Sequence, residues 1–217
     1  MSQWAVLFDW DGVVIDSSLM HEKSWEIVAK KYSLPLPLGH FKEGFGKRNE
    51  TIIPQVLKWA EEPDKVNELA FAKESAYRDL LRDEGIEALP GVREFLNWLE
   101  SEGVSCVIAS STPKDNLLAA LPLLGFENYF IGMISGDDVI KGKPHPEPFL
   151  KAAQIASVSP EKCLVLEDSH SGVEAGLAAG CKVIAVGTTH PLDSFDFAHA
   201  KVSDLKDLDY NQIKSWF

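Results

Sequence analysis

A chain of 217 residues with 21 Lys and Arg against 33 Asp and Glu carries a net charge of −12. That balance argues against nucleic acid or an anionic membrane surface as the main partner. Apolar residues make up 45% of the chain, ordinary for a soluble globular protein, and the length suits one large domain or two modest ones. Cys106, Cys163 and Cys181 show no paired metal-ligand spacing and read as small core residues in a reducing compartment. With no apolar stretch of membrane-spanning length and no basic-then-apolar leader, the expected protein is cytoplasmic; a monomer is the expected state.

The first predicted strand covers residues 4–8 and breaks into Asp9-Trp10-Asp11-Gly12. Two carboxylates then sit at the carboxyl end of a buried strand, where open α/β sheets bind ligands. Such crowding is costly unless a cation joins the charges or the site uses them. The plainer alternative is a strand followed by an Asp-Gly turn. Trp10, between the acids, should point to the opposite side and pack.

A long helical stretch follows. Ser17 or Ser18 can cap a helix that carries His21, Trp25 and Val28 on one face and is ended by Pro35 and Pro37. A second helix is expected from Asn49 and Glu50 through Val56, Leu57 and Ala60. A third covers residues 64–82, with Val66, Leu69, Ala70, Tyr77, Leu80 and Leu81 as its apolar stripe.

After Leu89-Pro90-Gly91 the pattern becomes regular alternation. An amphipathic helix with Val92, Phe95, Leu96 and Leu99 stops at Gly103. Strands over residues 104–109, 130–134, 163–166 and 182–186 come next, with helices between them. That spacing means βαβ units and a parallel sheet, which the first strand must join. The expected fold is therefore α/β, a Rossmann-like parallel core over residues 1–16 and 88–217. A small helical domain over 17–87 is inserted after the first strand. The acidic segment after Gly187, with Asp193, Asp196 and Asp204, reads as a polar edge and tail.

Every strand of a parallel sheet presents its carboxyl end on the same edge. Asp9 and Asp11, Ser110 and Ser111, Glu167 and Asp168 all fall there, and Lys143 follows in a Gly-Lys-Pro loop before a helix beginning near Pro146. That inventory suits phosphoryl transfer. One carboxylate can attack phosphorus, and a second can relay a proton. A divalent cation can offset the acids, while a hydroxyl and an ammonium hold phosphate oxygens. Thr112-Pro113 opens a helix whose free N–H groups face the same anion. Structural alternatives stand beside these: Ser110 as a cap, Lys143 as a surface charge, Glu167 and Asp168 as a solvated loop.

These residues resemble the haloacid dehalogenase superfamily. The pieces are Asp9-x-Asp11-Gly12-Val13, Val107-Ile108-Ala109-Ser110, Lys141-Gly142-Lys143-Pro144, and Leu164-Val165-Leu166-Glu167-Asp168-Ser169-x-Ser171-Gly172, in the family's order. The similarity is to the helical-cap branch that includes β-phosphoglucomutase and sugar-phosphate phosphatases. It implies that Asp9 is the nucleophile, forming an aspartyl-phosphate, and Asp11 the general acid and base. It implies magnesium held by Asp168 and Glu167 with Asp9 and the backbone carbonyl of Asp11, and a phosphoryl group held by Ser110 and Lys143, with Ser111 beside them. Dehalogenases and phosphonate-cleaving relatives lack the second aspartate, so its presence here speaks against both.

The cap is expected to set specificity. Lys73 lies on the apolar face of its helix, where a lysine either snorkels to water or reaches a substrate cleft. His21 alone would read as a packed or surface histidine. By resemblance both positions match substrate-binding residues of the branch. In the loop from Gly44 to Glu50, the spacing from Gly46 at which the mutase carries a phosphate-gripping arginine holds Asn49. The expected activity is hydrolysis of a small phosphorylated metabolite, with a phosphomutase as the alternative and a non-catalytic binding protein as the remote one.

Overall fold

A computed structural model describes residues 3–44 and 47–217; Phe45 and Gly46 of the predicted cap loop lie outside the described residues. The chain forms two compact units, one of Met1–Asp16 with Glu87–Phe217, the other of Ser17–Ile86.

The larger unit is built on a wholly parallel sheet. Its strands are β1 (Ala5–Phe8), β2 (Ser105–Ala109), β3 (Phe130–Ile134), β4 (Cys163–Glu167), β5 (Lys182–Val186) and β6 (Ala200–Val202), in the order β3-β2-β1-β4-β5-β6. The chain builds outward from β1 to β3, then returns to β4 on the other side of β1. The order therefore reverses between β1 and β4, the crevice where such sheets bind ligands. Alternation along the strands sends Leu7, Val107, Val165 and Val183 to one face, against Phe149, Ala152 and Val173. On the other face Phe8 meets Phe95 at 6.0 Å and Phe130 at 5.5 Å. Trp10 is fully buried and edge-on to Phe130 at 6.4 Å, so it packs as the alternation requires. All three cysteines are buried and free, and burial pushes the Cys106 thiol up to about 12.

The helices, in chain order, are α1 (Ser18–Tyr32), α2 (His40–Gly44), α3 (Asn49–Thr51), α4 (Pro63–Glu84), α5 (Val92–Ser101), α6 (Lys114–Leu124), α7 (Glu147–Ala156), α8 (His170–Ala178) and α9 (Tyr210–Lys214). The first four form the inserted unit. Trp25 and Val28 of α1 pack on Val66 and Leu69 of α4, with Ile52, Ile53, Val56 and Leu57 filling the space between. The strand register closes the ends of the insertion together: Leu89 N donates to Val14 O at 2.9 Å beside an antiparallel bridge from Ile15 to Ala88. No helix among the described residues is long and apolar enough to cross a membrane.

Three details differ from the sequence reading. Ser33, in the left-handed region at φ 54°, closes α1 before Pro35. The second cap helix is only α3 followed by a wide π-helical turn over Ile52–Leu57. Lys58 at φ 55° reverses the chain there, leaving Ala60 outside. The acidic tail is not merely an edge: it supplies β6 and buries Phe195, Leu205 and Ile213.

Candidate active site

Parallel register sets the centre. Phe8 pairs with Leu166, so the next residues, Asp9 and Glu167, leave β1 and β4 side by side; Asp9 N donates to Leu166 O at 3.0 Å. Asp168 follows, and carboxylate oxygens of Asp9, Glu167 and Asp168 lie within 4.8 Å of one another, all buried.

Lys143 joins them. Its Nζ stands 2.6 Å from Asp9 Oδ1 and 2.6 Å from Glu167 Oε1, and lies over the Phe149 ring 5.1 Å from its centroid. The loop that carries it is held by Glu147, whose carboxylate accepts from Ile140 N at 3.1 Å and Lys141 N at 3.0 Å. Pairing with Lys151 at 2.9 Å and those two backbone bonds pull Glu147 down to about 2.

Glu167 is seated under the first turn of α8, where Oε2 accepts from Ser169 N at 3.0 Å and Ser169 Oγ at 2.9 Å. A Cβ on Gly172 would stand 1.7 Å from Glu167 Oε1. Gly172→Ala should therefore displace the carboxylate and cost about 3 kcal/mol. The expected fall in Tm is roughly 6–12 °C for a chain of this size. A thermal melt within 1–2 °C of the parent (under about 1 kcal/mol) would contradict this seat.

Gly12 has a parallel role. It adopts φ 81°, which a side chain disfavours, and a Cβ there would lie 1.9 Å from Asp168 Oδ2. The turn Asp9 to Ile15 is tied by Gly12 N to Ile15 O at 2.7 Å and Val14 N to Trp10 O at 2.8 Å. Asp11 extends from it, half-buried, and Thr112 Oγ1 donates to its Oδ2.

Ser110 is buried after β2, its N–H bonded to Ile134 O and its Oγ accepting from Thr112 N at 3.0 Å, a capping bond at the start of the α6 loop. Ser111 beside it is exposed.

Charge and burial conflict in this centre. Burial, partly offset by Lys143 and reinforced by Glu167 and Asp168, raises Asp9 well above the usual carboxylate range. Burial and the Glu167 charge raise Asp168 to about 7. Burial alone would lower Lys143, but the charges of Asp9 and Glu167 outweigh it and hold the ammonium protonated. Three converging hard oxygen donors whose charge a single lysine only partly offsets fit a small divalent cation such as Mg²⁺.

In the inserted unit, His21 and Lys73 meet: Lys73 Nζ lies 2.7 Å from His21 Nδ1 and 2.9 Å from Glu74 Oε1. Asn49 Nδ2 donates to the same Glu74 oxygen at 2.7 Å, and His21 stacks on Tyr77 at 4.3 Å. Lys73 is buried over Trp25 and Tyr77 rather than snorkelled to water.

Sequence reasoning read Thr112 only as part of a helix opening rather than as a partner of Asp11, and missed Glu74, Thr188 and Thr189. Thr188 Oγ1 donates to Gly12 O and Thr189 Oγ1 to Asp168 Oδ2. The signal for the last two was available, since they follow the carboxyl end of β5 on the same edge. His145 and His199 accept backbone bonds from Glu147 N at 3.2 Å and Val183 N at 3.1 Å.

A parallel sheet with an acidic centre at its switch point, and a helical unit inserted after the first strand, define a capped α/β protein with a Rossmann-like core. The chain belongs to the haloacid dehalogenase-like hydrolases, whose family model matches residues 6–186. It is 34% identical over 193 residues to the phosphorylated carbohydrates phosphatase of Thermotoga maritima, covering 87% of each chain. It is 31% identical over 216 residues to the chloroplastic 5-amino-6-(5-phospho-D-ribitylamino)uracil phosphatase of Arabidopsis thaliana; the match takes in 96% of this chain but only 56% of that longer protein. With Bacillus subtilis β-phosphoglucomutase it shares 30% over 207 residues, 93% of this chain and 91% of that one. A haloacid dehalogenase-type hydrolase of family IA from Entamoeba histolytica superposes with a TM-score of 0.88 at 25% identity, covering 98% of both chains.

Proposed function

We propose that this protein is a magnesium-dependent phosphatase of a small phosphorylated metabolite, most naturally a sugar phosphate. The observation that carries the reading is the meeting of Asp9, Lys143, Glu167 and Asp168 at the β1–β4 switch point. The phosphorylated carbohydrate named for the Thermotoga relative supports the substrate class.

A carboxylate oxygen of Asp9 attacks phosphorus, and the bond from phosphorus to the ester oxygen breaks. Asp11 gives its proton to the departing oxygen, so an alcohol leaves and the phosphoryl group stays on Asp9. Asp11, now a carboxylate, takes a proton from water as the water oxygen attacks phosphorus; phosphate leaves and the Asp9 carboxylate is restored. Lys143 holds a phosphoryl oxygen as well as Asp9, and Ser110 donates its hydroxyl to another. Asp9, Glu167 and Asp168, with the Asp11 carbonyl, would hold the magnesium, which when bound neutralises the acids and polarises the phosphoryl oxygens.

The inserted unit selects the substrate through Lys73 and His21. Lys73→Met should raise KM for sugar phosphates roughly 10- to 100-fold, the worth of a charged hydrogen bond. KM for a flat aryl phosphate should stay put. Equal effects on both substrates would remove Lys73 from substrate selection.

Phosphorus NMR of the protein with magnesium and a panel of sugar phosphates tests the reaction. The panel includes β-glucose 1-phosphate primed with a trace of the bisphosphate. Rising inorganic phosphate is the expected result. Conversion of the 1-phosphate signal to the 6-phosphate without phosphate release would replace hydrolysis by phosphomutase chemistry on the same core residues.

A further inference from the structure

The loop that follows β5 reaches back over the acidic centre with two consecutive hydroxyls. Thr188 Oγ1 donates to the carbonyl of Gly12, and Thr189 Oγ1 donates to Asp168 Oδ2. The space a side chain on Gly12 would need is taken by these groups: Asp168 Oδ2 lies 1.9 Å and Thr189 Oγ1 3.0 Å from the position of that Cβ. Three loops, after β1, β4 and β5, thus interlock at one point. A carboxylate that accepts a hydrogen bond on one oxygen loses its freedom to rotate about its last torsion, and the direction of both oxygens is set with it. Asp168 is one of the three acids whose oxygens converge within 4.8 Å. Both threonines follow the carboxyl end of β5, and neither belongs to the four family motifs.

We propose that Thr189 is a positioning residue for divalent-cation binding, aiming the Asp168 carboxylate at Asp9 and Glu167, with Thr188 locking its loop to the Gly12 turn. The inference rests on the magnesium reading above. Partners that orient a metal-ligating carboxylate are typically worth 10- to 100-fold in metal affinity.

The test is Mn²⁺ binding to the purified, substrate-free protein, followed by electron paramagnetic resonance of the free ion. Thr189→Val keeps the shape and removes the donor, and should raise the Mn²⁺ Kd about 10- to 100-fold. Thr189→Ser, which restores the donor, should bind within about threefold of the parent, under 1 kcal/mol. The magnesium concentration needed for half-maximal phosphate release should shift in parallel, while kcat at saturating magnesium changes little. If circular dichroism shows the valine variant misfolded, Thr189→Ala takes its place with the same expected weakening. A folded variant without the hydroxyl that binds Mn²⁺ as tightly as the parent overturns the proposal. A parent protein that binds no Mn²⁺ overturns the magnesium reading itself, and this inference with it.

Discussion

Asp9→Asn should lower phosphate release by about 10⁴-fold or more while leaving the protein as stable as the parent. The loss follows from chemistry: an amide is too poor a nucleophile to form the aspartyl-phosphate, and without that intermediate the two-step route through residue 9 is closed. The unchanged stability follows from the balance of charge. Asp9 is buried, and desolvation raises its carboxyl well above the ordinary range despite the Lys143 ammonium at 2.6 Å. The fold therefore gains little from ionised Asp9, and a neutral isostere removes a burial penalty as well as an ion pair. Lys143 keeps its second partner, Glu167 Oε1, also at 2.6 Å. Phosphate release and a thermal melt, run on the same preparations, check both halves. Turnover near the parent's would remove Asp9 as the nucleophile, and a melt lowered by many degrees would mean that the Lys143 pair outweighs the burial penalty.

Much of the fold was legible because it rests on periodicity. Apolar runs such as Ala5–Phe8 and Cys163–Glu167 are strand-length and lie between helical patterns. Once the sheet is parallel, its topology alone brings the strand ends to one edge. That Asp9, Glu167 and Asp168 would share this edge was therefore readable, but not that β1 and β4 would lie side by side and bring them together. Lys143 was readable only as one of two options, since the Gly-Lys-Pro loop could equally have left it a surface charge.

What escaped has no period. β6 is three residues long at an edge, with partly exposed side chains, and the aspartates around it mask its pairing with β5. Thr188 and Thr189 were passed over because two threonines in a turn look like turn chemistry, although the rule that found Ser110 applied equally to the end of β5. Glu74 and Asn49 lie 25 positions apart, and a side-chain bond between them leaves no trace in either helix pattern. Lys58 ended the second cap helix early because a single residue at positive φ overrides the apolar spacing of Val56, Leu57 and Ala60.

Lys143→Met tests the centre from the opposite charge. Methionine approximates the aliphatic stem but removes the ammonium that lies over Phe149, so Asp9 and Glu167 lose the cation each contacts at 2.6 Å. Removing one member of a buried ion pair typically costs about 3–5 kcal/mol, because the remaining charge is left desolvated and unpaired. Here two carboxylates are left, with Asp168 adding its own repulsion to Asp9. In chelator the variant should unfold at markedly lower urea concentration, by about that free energy. Added magnesium should recover part of the loss, since a cation among Asp9, Glu167 and Asp168 substitutes for the missing charge and binds only the folded protein. Recovered stability should not bring recovered turnover. Lys143 is assigned a direct bond to the transferring phosphoryl group, and loss of one such electrostatic contact costs about 10²- to 10³-fold in kcat. The two readouts separate its duties: stability that magnesium repairs belongs to the acid cluster, and turnover that it leaves impaired belongs to the phosphoryl group. A variant as stable as the parent in chelator would mean that the acids are neutralised by protonation instead, and full activity at saturating magnesium would strike Lys143 from the phosphoryl site.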